Sequence, residues 1–116
     1  MPRRKPIDQA RVRTLGLALP ETTDGMHLGR ADLRVKGKIF MTLPQDGRTV
    51  NLKTTAANLD LLVKTQPDTF SDVWGGKWVG VDLDLVKADQ LLDLVIEAWR
   101  LTAPKRLANQ PLRRRL

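Results

Sequence analysis

The sequence predicts an α+β fold in which a single antiparallel β-sheet is flanked by helices on one face. Three runs of alternating apolar and polar residues follow one another between residues 33 and 53, separated by turn signals. A run with the period of a helix covers residues 88–102. Helical segments precede and follow the strands instead of alternating with each of them, which is typical of antiparallel sheets with helices on one side. The predicted element order is roughly α-β-β-β-α-β-α.

Residues 33–53 are predicted to form a three-stranded meander. In its first strand, apolar residues alternate with Arg34 and Lys36, so that apolar and basic side chains point to opposite faces. The Lys-Gly pair at 36–37 offers a tight turn, and the Asp-Gly pair at 46–47 supplies the positive φ that a second reversal needs. The predicted meander therefore has an apolar back and a basic front.

Three helices are predicted around this meander. The first covers residues 7–19; Asp8 can cap it, and it ends before Pro20, because the residue that precedes a proline is pushed toward extended geometry. The second begins after a cap at Thr55 and runs to about residue 64. The third covers residues 88–102 and has the clearest apolar stripe in the chain. These helices are expected to bury the apolar back of the sheet and to leave its basic front open.

The remaining segments add to the sheet and to the core. Residues 78–83 alternate as a strand, and residues 26–28 are expected to form at most a short edge strand. Phe70 is expected to pack into the core, and residues 71–77 to form a loop. Trp99 lies on the apolar stripe of the third helix, which favours a place in the core over a role as a ligand platform.

The chain of 116 residues is predicted to be a single domain, with a folded body at about 7–107 and basic ends at 2–6 and 108–116. The net charge of +7 does not belong to the body, because residues 7–104 contain 12 basic groups and all 13 acidic groups. The excess lies in residues near the two ends. Such ends can hold phosphate backbones without sequence preference, and they are also common solubilising segments with no partner.

Several classes of protein are disfavoured by what the sequence lacks. Without cysteine there are no disulfides, thiolate zinc sites or cysteine nucleophiles. No apolar run approaches the length of a membrane helix, and no secretory signal begins the sequence, so a cytoplasmic protein without membrane contact is expected. The single histidine, His27, has few candidate partners and is expected to have a structural role. No enzyme, metal or cofactor motif appears, and catalysis is not expected.

The candidate functional residues lie on the predicted open face and on the loop beside it. Cations interleaved with aromatic side chains suit nucleic acid, since Lys and Arg neutralise phosphates and indoles stack on bases or wedge between them. The alternative is that this is simply the wet face of an antiparallel sheet, which normally carries basic residues. The candidates are Arg34, Lys36, Lys38, Asn51, Lys53, Trp74, Lys77 and Trp78.

The order and spacing of five short motifs resemble the MmcQ/YjbR family of small bacterial proteins. They are Leu-Pro-Glu at 19–21, Leu-Arg-Val-Lys-Gly-Lys-Ile-Phe at 33–40, Leu-Lys at 52–53, Glu-Ala-Trp-Arg at 97–100 and Ala-Pro-Lys-Arg at 103–106. The resemblance implies a fold similar to frataxin and to secretion chaperones. It also implies a double-wing arrangement, from which DNA binding is inferred. The chain departs from the family pattern at Asp32, which places a carboxylate beside the basic hairpin, and at Lys87, where an acidic helix cap is common.

Two functional hypotheses follow. The first is a monomeric, non-enzymatic protein that binds DNA through the open face and the hairpin tips. The second is a protein-binding adaptor or chaperone-like module that uses the same face for a polypeptide. A steep salt dependence distinguishes the first from the second, because phosphate contacts release counterions.

Overall fold

A computed structural model describes residues 7–112. Within them, six antiparallel strands form one sheet in the order β1-β2-β3-β4-β6-β5, so that β1 and β5 are the two edges. The basic groups at 3–5 and 113–115, to which the sequence assigned a possible role in phosphate binding, lie outside the described residues. The strands are β1 (Thr22–His27), β2 (Arg30–Val35), β3 (Lys38–Leu43), β4 (Thr49–Lys53), β5 (Phe70–Asp72) and β6 (Trp78–Asp82).

Helices cover one face of this sheet. Their bounds are α1 (Gln9–Leu17), α2 (Ala56–Thr65), α3 (Ala88–Thr102) and α4 (Lys105–Ala108). The predicted caps form, since the side chain of Asp8 accepts a hydrogen bond from the amide of Arg11, and that of Thr55 accepts one from the amide of Asn58. Lys87, at the start of α3, makes no side-chain cap. The side chains of Asp8 and Thr55 thus accept hydrogen bonds from first-turn amides, which have no acceptor within the helix itself.

The core lies between the helices and the sheet. Trp99 of α3 is fully buried, and its indole N–H donates to the carbonyl of Pro20 at 3.1 Å, which joins α3 to the segment after α1. Gly16 allows α1 to lie directly on β2, because a Cβ at this position would overlap the side chain of Leu33. The predicted core positions of Phe70 and Trp99 are therefore confirmed.

A β-bulge in the β2–β3 ladder decides which side chains reach each face. Leu33 pairs with Met41, whereas its neighbour Arg34 pairs with Ile39, so Phe40 is the extra residue. Phe40 and Met41 are both fully buried even though they are consecutive. Ile39 is therefore carried to the face opposite the helices, where a regular alternation would have placed Phe40.

The predicted fold class is confirmed, with two strands more than the simplest predicted order. β1 was expected to be at most a short edge segment at 26–28, but it pairs with β2 along six residues. Its sequence, Thr-Thr-Asp-Gly-Met-His, lacks the apolar alternation by which strands are recognised. β5 has three residues and falls partly within the predicted loop at 71–77. Both are edge strands, whose pairing depends on the neighbouring strand more than on their own composition.

Candidate functional site

The face opposite the helices, which we call the open face, has a row of small or polar residues along its centre. Successive register partners across the sheet are Gly25, Asp32, Thr42, Asn51, Gly80 and Ser71. The amide of Asn51 donates to the hydroxyl of Thr42 at 3.0 Å. Directly paired residues of an antiparallel sheet share a face, so the row is continuous. These short side chains form a shallow floor, and the larger side chains beside them project above it.

Arg34 and Asp32 form a closed pair at one end of this row. The guanidinium donates through Nε to Oδ1 at 2.8 Å and through Nη2 to Oδ2 at 3.1 Å, and Asp32 is only 1% exposed. Nη2 also donates to the carbonyl of Met26 at 3.3 Å. Hydrogen bonding to Asp32, and its charge, raise the pKa of Arg34. Gly25 makes room for the pair, because a Cβ there would meet the guanidinium and the carboxylate.

A groove of about 280 Å³ opens beside the pair. Ile39 and Trp74 provide apolar wall, and Asn51 contributes a polar group. Leu28, in the β1–β2 turn, is 88% exposed. His27 and Arg30 lie at the same turn and are register partners. We call this cavity the groove; it is lined principally by His27, Arg30, Asp32, Ile39, Asn51 and Trp74.

Trp74 and Trp78 stand together above the groove side of the sheet. Their ring centroids are 5.2 Å apart, with an edge-to-face angle of 73°. Trp74 is half exposed, whereas Trp78 is partly buried. Edge-to-face contact is a favoured arrangement for aromatic pairs, so Trp78 holds Trp74 in an outward position. The two predicted aromatic residues are therefore brought together, with Trp74 the more accessible.

The glycines after Trp74 form a turn and no phosphate cradle. The amides of Gly75 and Gly76 both donate to Oδ1 of Asp72, at 2.9 and 3.1 Å. A carboxylate thus occupies the donors that a phosphate would need. Lys77 follows this turn and is exposed.

The hairpin tip at 36–37 does not belong to the open face. Lys36 Nζ lies 2.5 Å from Oε1 of Glu21, and Arg106 of α4 lies 3.5 Å from the other oxygen of the same carboxylate. Lys38 pairs with Val35 and so shares the side of that buried residue. The prediction that Arg34, Lys36 and Lys38 form one basic front is wrong in this respect. The bulge in β3 changes the face of Lys38, and Lys36 lies in the turn with a left-handed φ of 51°, where it pairs with Glu21.

The ion pair between Lys36 and Glu21 changes the pKa of the glutamate. The hydrogen bond from Lys36 lowers the pKa of Glu21, and the charges of Lys36 and Arg106 act in the same direction, against a smaller effect of desolvation. Two cations thus share one exposed carboxylate at the end of α1. Lys36 is engaged with the helix layer and is not presented as a free charge.

The other predicted residues remain on the open face. Asn51 is buried in the central row, and Lys53 lies two residues further along β4, opposite Trp78. Among the described residues, neither Lys53 nor Lys77 forms an ion pair. The structure therefore gathers Arg34, Asn51, Lys53, Trp74 and Trp78 around one surface, with Lys77 on its loop.

Of the residues that line the groove, sequence reasoning found only Asn51 and Trp74, and it missed, among others, His27, Arg30, Ile39 and Thr42. His27 is exposed and lines the groove, so it does not pack into the core; the expectation that it does no acid–base work stays a prediction. His27 and Arg30 could have been found only by recognising β1 as a full strand paired with β2. Ile39 could have been found only by recognising the β-bulge. Thr42 alone had a usable signal, since it is the polar residue between buried Met41 and Leu43.

Residues 7–112 contain neither a candidate metal-binding cluster nor a helix that could span a membrane. No cluster of three or more His, Asp or Glu side chains able to hold a metal ion occurs there. Within the same range, the helices are too short or too polar to cross a bilayer.

Comparison with known proteins agrees with the fold. The family model YjbR matches residues 17–101. No curated protein matches the chain. Among solved structures, Deinococcus radiodurans protein DR2400, described as a DUF419 domain, superposes with a TM-score of 0.72 at 20% identity, over 79% of this chain and 75% of that one. At this identity the likeness shows a shared fold.

Proposed function

The chain belongs to the YjbR family, and from that premise we propose that it is a monomeric, non-enzymatic binding protein whose open face receives an extended polypeptide. The observation that carries this proposal is the groove beside half-exposed Trp74. Its walls combine apolar side chains with a few hydrogen-bonding groups, which is the usual composition of a site for a peptide side chain. Exposed aromatic side chains are enriched at protein-binding surfaces, where they commonly act as anchors.

The charges of the open face support a polypeptide over duplex DNA. Arg34 is neutralised by Asp32, and Lys36 is held by Glu21 on the helix side. DNA-binding proteins commonly neutralise about 6–10 phosphates, and their affinity depends on that number. The described part of the open face has too few unpaired cations to neutralise that many phosphates. Shape and apolar contact therefore supply more of the expected binding free energy than phosphate neutralisation does.

DNA binding remains the second candidate, and one observation favours it. Lys53 pairs with Trp78 in the sheet, Lys77 lies between Trp74 and Trp78 in sequence, and both lysines lack an ion-pair partner among the described residues. Cations next to stacked indoles suit a short single-stranded or distorted segment. This arrangement would give salt-sensitive binding that depends on the two lysines.

A titration of the full chain, followed by fluorescence anisotropy, distinguishes the two candidate functions. The probes are a set of fluorescein-labelled extended peptides of graded apolar content, a mixed-sequence duplex and a single-stranded oligonucleotide. We expect peptide binding that changes by less than about threefold between about 50 and 200 mM salt, because few counterions are released. Substitution W74A should weaken it about tenfold or more, as for a central aromatic anchor.

L61A is the matched control for W74A. Leu61 is 59% exposed on α2, so its truncation also removes an exposed apolar side chain, but from the helix layer. It should leave peptide binding unchanged. Duplex or single-strand binding that falls steeply with salt and is lost in K53A/K77A would instead establish the nucleic-acid candidate. Failure of every peptide to bind would end the polypeptide proposal.

A further inference from the structure

The groove has an uncompensated positive charge. Asp32 is the one carboxylate among the described residues that line it, and both of its oxygens accept hydrogen bonds from Arg34. Arg30 lines the groove from the β1–β2 turn, is exposed, and forms no ion pair with any described residue. The Asp32–Arg34 pair is close to neutral as a unit, so Arg30 makes the net charge of the groove positive.

The apolar part of the groove lies next to this charge. Ile39 and Trp74 line it together with Ala31 and Pro44. A cavity of about 280 Å³ is large enough for one large side chain but not for a folded element. An aromatic side chain placed here would contact Trp74 in the edge or offset arrangements that rings favour. The groove therefore combines one apolar compartment with one cationic rim.

We infer that the groove selects a peptide segment in which an aromatic or large aliphatic residue is accompanied, within two positions, by an acidic residue. In an extended chain, residues two positions apart point to the same side and lie about 6.7 Å apart. One side chain can then enter the apolar compartment while the carboxylate reaches Arg30. The charge of the groove is complementary to an acidic segment and opposes a basic one. This inference rests on the proposed polypeptide binding and specifies its partner.

The test uses four labelled peptides with the same Gly/Ser background and the full-length protein. They contain Phe-Ser-Asp, Phe-Ser-Lys, Phe-Ser-Ser or Ala-Ser-Asp at the centre. We expect the Phe-Ser-Asp peptide to bind about fivefold more tightly than Phe-Ser-Ser, the size of effect an exposed ion pair supplies. Phe-Ser-Lys should bind more weakly than Phe-Ser-Ser. Ala-Ser-Asp should lose most of the affinity.

Charge reversal at Arg30 gives the decisive comparison. R30E should invert the preference, so that Phe-Ser-Lys binds more tightly than Phe-Ser-Asp. R11E is the matched control, because Arg11 is exposed on α1 in the helix layer and the change in net charge is identical. It should retain the wild-type order. Circular dichroism verifies that each variant is folded.

Each other outcome is informative. Equal binding of the three Phe peptides, all sensitive to W74A, would overturn the acidic preference and leave the polypeptide proposal standing. An R30E variant with the wild-type order would overturn the role of Arg30. Absence of binding by all four peptides, with capture of an oligothymidylate that depends on Arg30 and Trp74, would overturn both proposals in favour of nucleic acid.

Discussion

Arg34 covers Asp32 so closely that a carboxylate in the middle of a strand is 1% exposed. A buried charge of this kind is tolerated only while its partner remains, since an isolated carboxylate loses its hydration without compensation. The pair also fixes the edge of the groove, because Arg34 reaches across Gly25 to the carbonyl of Met26. One ion pair therefore contributes to both the stability of the sheet and the shape of the candidate site.

Substitution R34A is expected to destabilise the protein. It leaves Asp32 without its partner, and an uncompensated buried carboxylate costs about 2–3 kcal/mol in the free energy of unfolding when water can partly reach it. Urea denaturation followed by circular dichroism measures the change. R48A is the control, because it breaks the exposed pair with Asp84 and should have a much smaller effect. Equal effects of the two variants would contradict the structural role of the Asp32 pair.

The bulge predicts an unusual contrast between I39K and M41K. Ile39 lies on the open face, whereas Met41 is fully buried beneath the helices. I39K should therefore cost about 1 kcal/mol or less, while M41K should cost more than about 4 kcal/mol or prevent folding. A regular ladder would place both side chains on one face, and similar losses of stability in the two variants would exclude the bulge.

G16A is expected to destabilise the protein despite the better helix propensity of alanine. Alanine gains about 1 kcal/mol in a helix interior, but its Cβ would overlap the side chain of Leu33. Overpacking costs about 1–3 kcal/mol, so the net change should be a loss of up to about 2 kcal/mol. A double-mutant cycle with L33V checks the mechanism. The loss from G16A should be smaller in the L33V background, and strict additivity would show that the two positions do not interact.

Acid should weaken the turn between β3 and β4. The Asp46 carboxylate accepts hydrogen bonds from the amides of Arg48 and Thr49 and from the Thr49 hydroxyl. These bonds, the Arg48 amide first, lower the pKa of Asp46 from its ordinary 3.8 against a smaller opposing effect of desolvation. A carboxylate whose pKa is lower in the folded state stabilises the protein above its unfolded pKa, and that contribution is lost as the pH falls through the folded value.

The comparison of wild type with D46A tests this linkage. At neutral pH the wild type should be more stable by about 1 kcal/mol or less, because the turn is exposed and its hydrogen bonds compete with water. The difference should shrink as the pH falls below about 3.8. Unfolding by urea at a series of pH values measures it. A difference that grows toward acid would contradict the assigned direction of the pKa change.

The parts of the fold with regular patterns could be predicted from the sequence. The bounds of α3, the caps Asp8 and Thr55 and the turn at 36–37 follow from local periodicity and local hydrogen bonding. The edge strands β1 and β5 could not be predicted from such local patterns. β1 contains Gly25 and four polar residues, and it is a strand because β2 pairs with it along its whole length.

The candidate site was harder to predict, because it depends on register. The positions of Lys36 and Lys38 were assigned from strict alternation, which the extra residue Phe40 breaks for Lys38 and the left-handed turn conformation breaks for Lys36. Arg34, Lys53 and Trp78 lie before or beyond the bulge and were assigned correctly to the open face. Ion pairing is also invisible to a local pattern, since Glu21 reaches Lys36 across the end of β1. The net charge of a face therefore needs three-dimensional information.

The extra residue at Phe40 has a consequence for how this hairpin can change. Removing Phe40 would restore a regular ladder with the pairs Arg34–Ile39 and Val35–Lys38 unchanged, so the tip would keep its face while the core would lose one buried aromatic side chain. The turn itself would keep the same amino acids and the same local geometry. The extra residue thus lets two consecutive side chains, Phe40 and Met41, enter the core while Ile39 remains available to the groove.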